Sequence, residues 1–385
     1  MMRKSHNPMR WAVASLAAVG IALTAVPLGC GPDADQALEP KQYVYFPPPP
    51  TQSRVQFLRH LSGAQDFADS KSGLQEFLVG KETELYKTIA KPFGIAIRDG
   101  KIFVTDTKMP RVAVLNMRDR SFGQFGTKGR GQLRKPINVR IDRGGRFYVT
   151  DTIRNQVVVF DPEGKYLREY GDGKEFRPSD VIVTDDELFV LDGSADVVKV
   201  YDLNTGRHKR TFGGVGGGFG QFRGPTNMVQ DEQGYIYVCD SMNFRVQKLD
   251  KNGKHYFQFG QAGDTPGRFA RPKGLAVDRA GIIYVLDSRL QVVQLFDQKG
   301  NPLMHFGGSG VGPGQLLLPA QVTLDYDNIE LFREDISPDF KAEYLILVTY
   351  QIGPNKVSVY AFGRGPAPTS QPAPATRPAP AAQPK

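Results

Sequence analysis

The sequence predicts an all-β fold: a six-bladed β-propeller of four-stranded antiparallel blades, closed by an N-terminal strand. Three observations carry this prediction. Proline-led apolar segments recur at Pro92, Pro136, Pro178, Pro225, Pro272 and Pro319, spaced by 44, 42, 47, 47 and 47 residues. Each copy divides into short apolar runs separated by turn residues, a meander rather than a helix pattern. The last copy runs out one strand early, while Arg54–Leu61 (RVQFLRHL) reads as a strand with no blade of its own. A period in the mid-forties with four strands per copy is a propeller period.

The clearest copy is Arg271–Gly308. After Pro272, the spacing predicts strands over Leu275–Val277, Ile282–Leu286, Val292–Phe296 and Leu303–Phe306, with turns at Asp278–Gly281 and Asp297–Gly300. One meander cannot bury both of its faces. Blades stacked around an axis bury them against each other and leave short edges. The sixth copy is irregular over Asn328–Tyr344 before a strand resumes at Leu345–Thr349. It then supplies Lys356–Phe362 and lacks an outermost strand, a place the N-terminal strand can fill, removing an exposed edge. Residues 62–90 are an insertion with a short helix expected around Gly73–Lys87.

The pattern P-x-G-[IVL]-x-[VI]-D, then G-x-[IF]-[YF]-V-x-D-[ST], then R-V-[QAV]-x-[FL]-D-x-x-G-K resembles the NHL repeat of six-bladed β-propellers, over roughly residues 54–363. The resemblance implies the fold and a role in binding. It leaves function to the loops, where such scaffolds carry it.

Outside the repeats, residues 1–29 join a basic start (Arg3, Lys4, Arg10) to an apolar run, 11–29, as in an export signal. A single membrane span is the rival reading. Cys30 follows Leu28-Gly29 and resembles the lipidated cysteine of a bacterial lipoprotein, although Pro27 departs from that pattern. An ordinary cleaved signal is the alternative. Residues 30–53, ending in Pro47–Pro50, read as a Pro-rich tether, and 365–385 as a disordered Pro/Ala-rich tail. The expected product is an exported, membrane-anchored lipoprotein in the periplasm or at the cell surface. The other cysteine, Cys239, falls in a second strand and reads as a packed residue.

The formal charge is +9, and losing three cations with residues 1–29 leaves +6. That balance favours acidic partners. Loops joining strand four to the next strand one share a face with loops joining strands two and three. They gather Lys128, Arg130, Arg134, Arg154, Arg223, Arg245, Arg268, Arg271 and Arg289, together with Lys108, Arg111, Lys135 and Arg177. This cationic face is the candidate site for a protein or acidic polysaccharide at the envelope, with nucleic acid excluded by export. Solvated surface charge is the plain alternative. Five aspartates, Asp106, Asp151, Asp192, Asp240 and Asp287, end successive second strands. Fivefold repetition suits a scaffold role, each accepting N–H groups of the next loop.

Two residues after each leading proline stand Gly94, Asn138, Asp180, Asn227, Gly274 and Gln321, expected to ring the axial channel. Asn138, Asp180, Asn227 and Gln321 are candidate ligands for a hard cation such as calcium. Six-bladed lactonases and paraoxonases hold calcium in a similar place. The alternative is that Gly, Asn and Asp mark positive φ. His208 and His255 occupy equivalent fourth-strand positions and read as exposed. No histidine set resembles that of a peptide-amidating lyase, and no G-x-S-x-G elbow, Cys/His metal spacing or phosphate loop occurs. The reading is a monomeric, non-catalytic binding module without a resident cofactor. A calcium-dependent hydrolase using the channel and an extracytoplasmic ligand sensor are the alternatives.

Overall fold

A computed structural model describes residues 42–67, 87–171, 173–174 and 176–365. The signal segment, Cys30, the helix expected around Gly73–Lys87 (save Lys87) and the tail beyond Gly365 lie outside the described residues.

The chain forms six antiparallel sheets around one axis. Blades 1 to 5 each take four consecutive strands, and their innermost strands are Pro92–Arg98, Pro136–Ile141, Pro178–Val183, Pro225–Gln230 and Pro272–Val277. Each begins on its leading proline, which needs no partner for a missing N–H at the start of a strand.

Blade 6 mixes the two ends of the chain. Pro319–Asp325, Lys341–Tyr350 and Val357–Arg364 are continued by Val55–Leu61, paired antiparallel with Val357–Arg364. The expected closure is therefore present. One further strand, Val44–Phe46, pairs with Val55–Phe57 at the rim. The ordered sheet thus starts upstream of Arg54, in residues the sequence reading placed in the tether. Its Phe46 ring packs beside Gly314, where a Cβ would stand 2.8 Å from the ring. The irregular stretch of blade 6 holds a 3-10 helix, Ile329–Asp335, and the strand resumes at Lys341, four residues earlier than expected.

The core is six apolar clusters, one at each interface between neighbouring blades. Val139, Phe147 and Phe160 of blade 2 meet Phe103 and Val112 of blade 1. Leu58 and Leu61 of the closing strand meet Ile95, Ile102 and Leu115 of blade 1. Period-2 alternation explains this arrangement: a strand buried on both faces feeds two interfaces at once. Cys239, fully buried among Phe269, Leu275 and Val285, belongs to one such cluster, and burial pushes its thiol up to about 12.

A second device seals the blades at the outer loops. Strand four of blade 3 ends on Gly213 with φ +102°, and a Cβ there would meet the Phe222 ring at 2.7 Å. Phe269 covers Gly260 and Leu316 covers Gly307 in the same way. Glycine is required at these positions by both the backbone angle and the close approach.

Candidate functional site

The five recurring aspartates are fully buried. Asp151 accepts N–H groups from Arg134 (2.6 Å), Lys135 (3.0 Å), Ile153 (3.1 Å) and Arg154 (3.0 Å). Asp106 and Asp287 repeat that pattern with Ala90, Lys91, Lys108 and Met109, and with Ala270, Arg271, Arg289 and Leu290. Each carboxylate thus ties the loop arriving from the previous blade to its own strand-two turn. Asp192 and Asp240 exchange part of this set for cations, Lys199 at 2.7 Å and Arg245 at 2.8 Å.

Asn138, Asp180 and Asn227 of the ring two residues past the prolines are joined in one hydrogen-bond network, while Gln321, also buried, stays outside it with its Nε2 unpartnered among the described residues. Asp180 has no exposure and sits between two asparagines. Its Oδ1 accepts from Asn138 Nδ2 (2.6 Å), Val181 N (2.8 Å) and Arg140 Nε (3.1 Å). Its Oδ2 accepts from Asn227 Nδ2, Met228 N (3.0 Å) and Arg140 Nη2 (2.8 Å). The asparagine oxygens accept in turn from Val139 N (3.0 Å) and Leu275 N (2.8 Å). Calcium needs six to eight oxygen ligands with lone pairs to give. Here both carboxylate oxygens are saturated, the asparagines turn their N–H groups inward, and the Arg140 guanidinium supplies the positive charge. These residues do not fit a calcium ion. Among the described residues no group of three or more His, Cys, Asp or Glu side chains is placed to hold a metal.

The backbone-angle alternative fails too, since none of the six ring residues has positive φ. Gly94 is there for space: a Cβ would lie 2.4 Å from Asn138 Oδ1 and 2.6 Å from its Cα.

The mouth of the axis on the loop face is a cavity of about 790 Å³. Lys91, Lys135, Arg177, Arg271 and Lys273 line it, and no carboxylate among the described residues does. Four of these are the residues directly before a leading proline, and Lys273 is the residue directly after one. That position recurs in all six blades, so it forms a ring; two blades carry no charge there, blade 4 with Gly224 at φ +56° and blade 6 with Leu318 at φ +52°. Lys273 is only partly exposed, makes no ion pair among the described residues, and rests its ammonium 4.2 Å from the centre of the Phe93 ring. Burial, then the charges of Arg271 and Lys91, push its amine down to about 8.

The structure divides the cations expected to form the binding face. Only Arg271 of the nine lines the mouth. Arg245 is buried and spent on Asp240, Gln258 and the carbonyls of Gly217, Gly218 and Gln221. Arg154 holds the carbonyls of Arg130 and Gln132, and Arg130 pairs with Glu169 at 3.2 Å. Lys128, Arg134, Arg223, Arg268 and Arg289 are exposed but do not line the cavity. Lys91 and Lys273 escaped sequence reasoning. Their place beside the prolines was the available signal, obscured by counting cations over whole loops. His208 is exposed as expected. His255 instead lies half-buried and stacked on Phe219, ring centres 4.5 Å apart.

The family described as a 6-bladed beta-propeller (DUF5128) matches residues 224–303. Among solved structures, a streptogramin B lyase superposes with TM-score 0.51 at 12% identity, covering 71% of this chain and 94% of that one. A protein of unknown function from Bacteroides thetaiotaomicron gives 0.53 at 16%, covering 71% and 70%. A gluconolactonase from Xanthomonas campestris gives 0.51 at 14%, covering 71% and 86%. The chain is a six-bladed β-propeller, and identities this low carry the fold rather than the chemistry.

Proposed function

We propose that this protein is an exported, lipid-anchored propeller acting as a non-catalytic binding module at the cell envelope, with its loop face turned to an acidic protein or polysaccharide. The observation that carries the reading is the axial mouth, lined among the described residues by five cations and no carboxylate. Unopposed like charges facing a cavity are costly unless an anion answers them, and they steer anionic partners inward. The apolar surface points the same way. Of nine exposed large apolar side chains among the described residues, Ile153, Val215, Phe219, Met242, Val311 and Ile352 sit on loops of this one face. An apolar rim around a charged centre suits a docking surface. Lipidation at Cys30 and the NHL-like repeat pattern belong to the same reading, which needs no resident cofactor.

The test is retention of the mature chain on an immobilised polyanion, polyglutamate and polygalacturonate in parallel. Retention should fall steeply with salt and vanish when Lys91, Lys135, Arg177 and Arg271 are changed together to Glu. Undiminished retention of that variant overturns the reading. Incorporation of labelled fatty acid, lost in Cys30→Ala, checks the anchor.

A further inference from the structure

The cavity carries a second kind of group besides its cations. Five hydroxyl side chains line it: Thr107, Thr152, Ser179, Thr226 and Ser241. Each spends its only hydrogen on a backbone carbonyl. Thr107 donates to Lys91 O (3.0 Å), Thr152 to Lys135 O (3.5 Å), Ser179 to Leu191 O (3.3 Å), Thr226 to Lys273 O (2.8 Å) and Ser241 to Pro272 O (2.6 Å). A hydroxyl that has given its proton keeps two lone pairs. Those of Thr107, Thr152, Ser179 and Ser241 accept no hydrogen bond among the described residues. The cavity therefore offers strong positive donors of one kind and neutral acceptors of another. A bare anion uses only the first. A neutral polyol uses only the second and leaves the cations unanswered.

We propose that the axial cavity binds a sugar acid, its carboxylate held by the cations around Lys273 and its hydroxyls donating to the serine and threonine oxygens. The inference rests on the reading of the mouth as an anion site and names the chemical class that fills it. The ligand's carboxylate would answer the one ammonium at the mouth that is partly buried and makes no ion pair among the described residues. Phe93 and Ile137, which also line the cavity, offer apolar surface to the C–H groups of a pyranose, as apolar linings do in ligand pockets. The same chemistry is found in a free sugar acid and in the uronate units of an acidic polysaccharide.

Isothermal titration of the mature chain at pH 7 with glucuronate, acetate and glucose tests this. Glucuronate should bind at least about tenfold tighter than acetate, the increment that two net hydrogen bonds bring, and glucose should not bind measurably. Thr107→Val combined with Ser179→Ala should erase the advantage over acetate. Acetate binding retained in that double variant shows that the fold and the cationic ring are intact. Equal affinities of the unaltered protein for glucuronate and acetate overturn the sugar-acid inference while leaving the anion site standing. Binding of neither anion removes both. Oligogalacturonate arms separate the sources: affinity kept or raised with chain length points to a polysaccharide, and affinity confined to the monomer points to a free acid.

Discussion

Two rings circle the same axis, one residue before the leading prolines and two residues after them, and they are chemically opposite. The inner ring closes on itself over three blades, from Asn138 through Asp180 to Asn227, and leaves only Gln321 Nε2 unpartnered among its described side chains. Asp180 receives six hydrogen bonds, Arg140 neutralises it, and Asn138 and Asn227 face it with N–H while their oxygens take backbone amides. The outer ring at the mouth is left open: four of its six positions carry cations, Lys273 adds a fifth beside them, and no acid among the described residues lines the cavity. Buried polar groups that satisfy one another hold the fold, and those that do not are poised for something else. The difference separates what keeps the six blades together from what the assembled molecule offers to a ligand.

Breaking the inner ring should have the largest effect. Asp180→Ala strands Arg140 and two asparagine amides in a buried site, and removing one partner of such a pair costs about 3–5 kcal/mol. Chemical denaturation should show that loss, with anion binding by the surviving folded fraction unchanged. Loss of stability below about 1 kcal/mol would mean that the ring is wetter than its burial implies. Gly94→Ala probes the same ring by volume. A methyl 2.4 Å from Asn138 Oδ1 must displace backbone as well as side chain, and overpacking of this kind costs about 1–3 kcal/mol. An unchanged melting temperature would show that blades 1 and 2 can part there.

The propeller itself was legible because its signals repeat. Six prolines at near-equal spacing and a strand missing from the last copy define blades and closure without any knowledge of contacts. Val44–Phe46 stayed hidden, because three residues before a proline run have too little pattern to be told from a tether. The inner ring was located correctly and misread in role. Sequence places Asn138, Asp180 and Asn227 on neighbouring strands, but the guanidinium that completes them comes from Arg140, two residues beyond Asn138 and outside the ring positions. The mouth was half legible. Arg271, Lys135 and Arg177 fall within the expected cationic loops, whereas Arg245 reads identically in sequence and proves to be a buried clasp on Asp240. Which of two arginines faces solvent depends on what the neighbouring loop offers, a fact set by tertiary packing.

Lys273 tests the outer ring with the sign reversed. Its amine is pushed from the ordinary lysine value of 10.5 down to about 8, so the fold disfavours its charge. The unfolded chain binds this proton more tightly than the folded one, and stability should therefore rise as pH climbs from about 8 to 10.5. Lys273→Met should stabilise the protein at pH 7 by about 2 kcal/mol, a figure reduced for partial solvent access. The gain should shrink through that pH window and vanish above it. A variant less stable than the parent at pH 7 would mean that the Lys273 ammonium is already neutralised in the fold. The same variant should lose anion affinity, so that stability and binding move in opposite directions, as expected when a group is kept for a ligand at the expense of the fold.

The smallest effect sharpens the boundary of the open ring. Arg134 and Arg268 are exposed on the same face but stand outside the cavity. A substitution at such a site changes stability by no more than about 0.5 kcal/mol. Arg134→Glu with Arg268→Glu should leave the melting temperature and the affinity for a small anion nearly unchanged, because neither side chain lines the cavity and exposed charges are screened at physiological salt. The double change should still slow capture by a polyanion, since long-range steering depends on the summed charge of the face rather than on contact. Stopped-flow association at low and physiological salt separates the two. A lower association rate with an unchanged dissociation rate puts these arginines in the steering field. An equal loss of small-anion affinity would extend the binding site outward onto the loops and make the mouth only its centre.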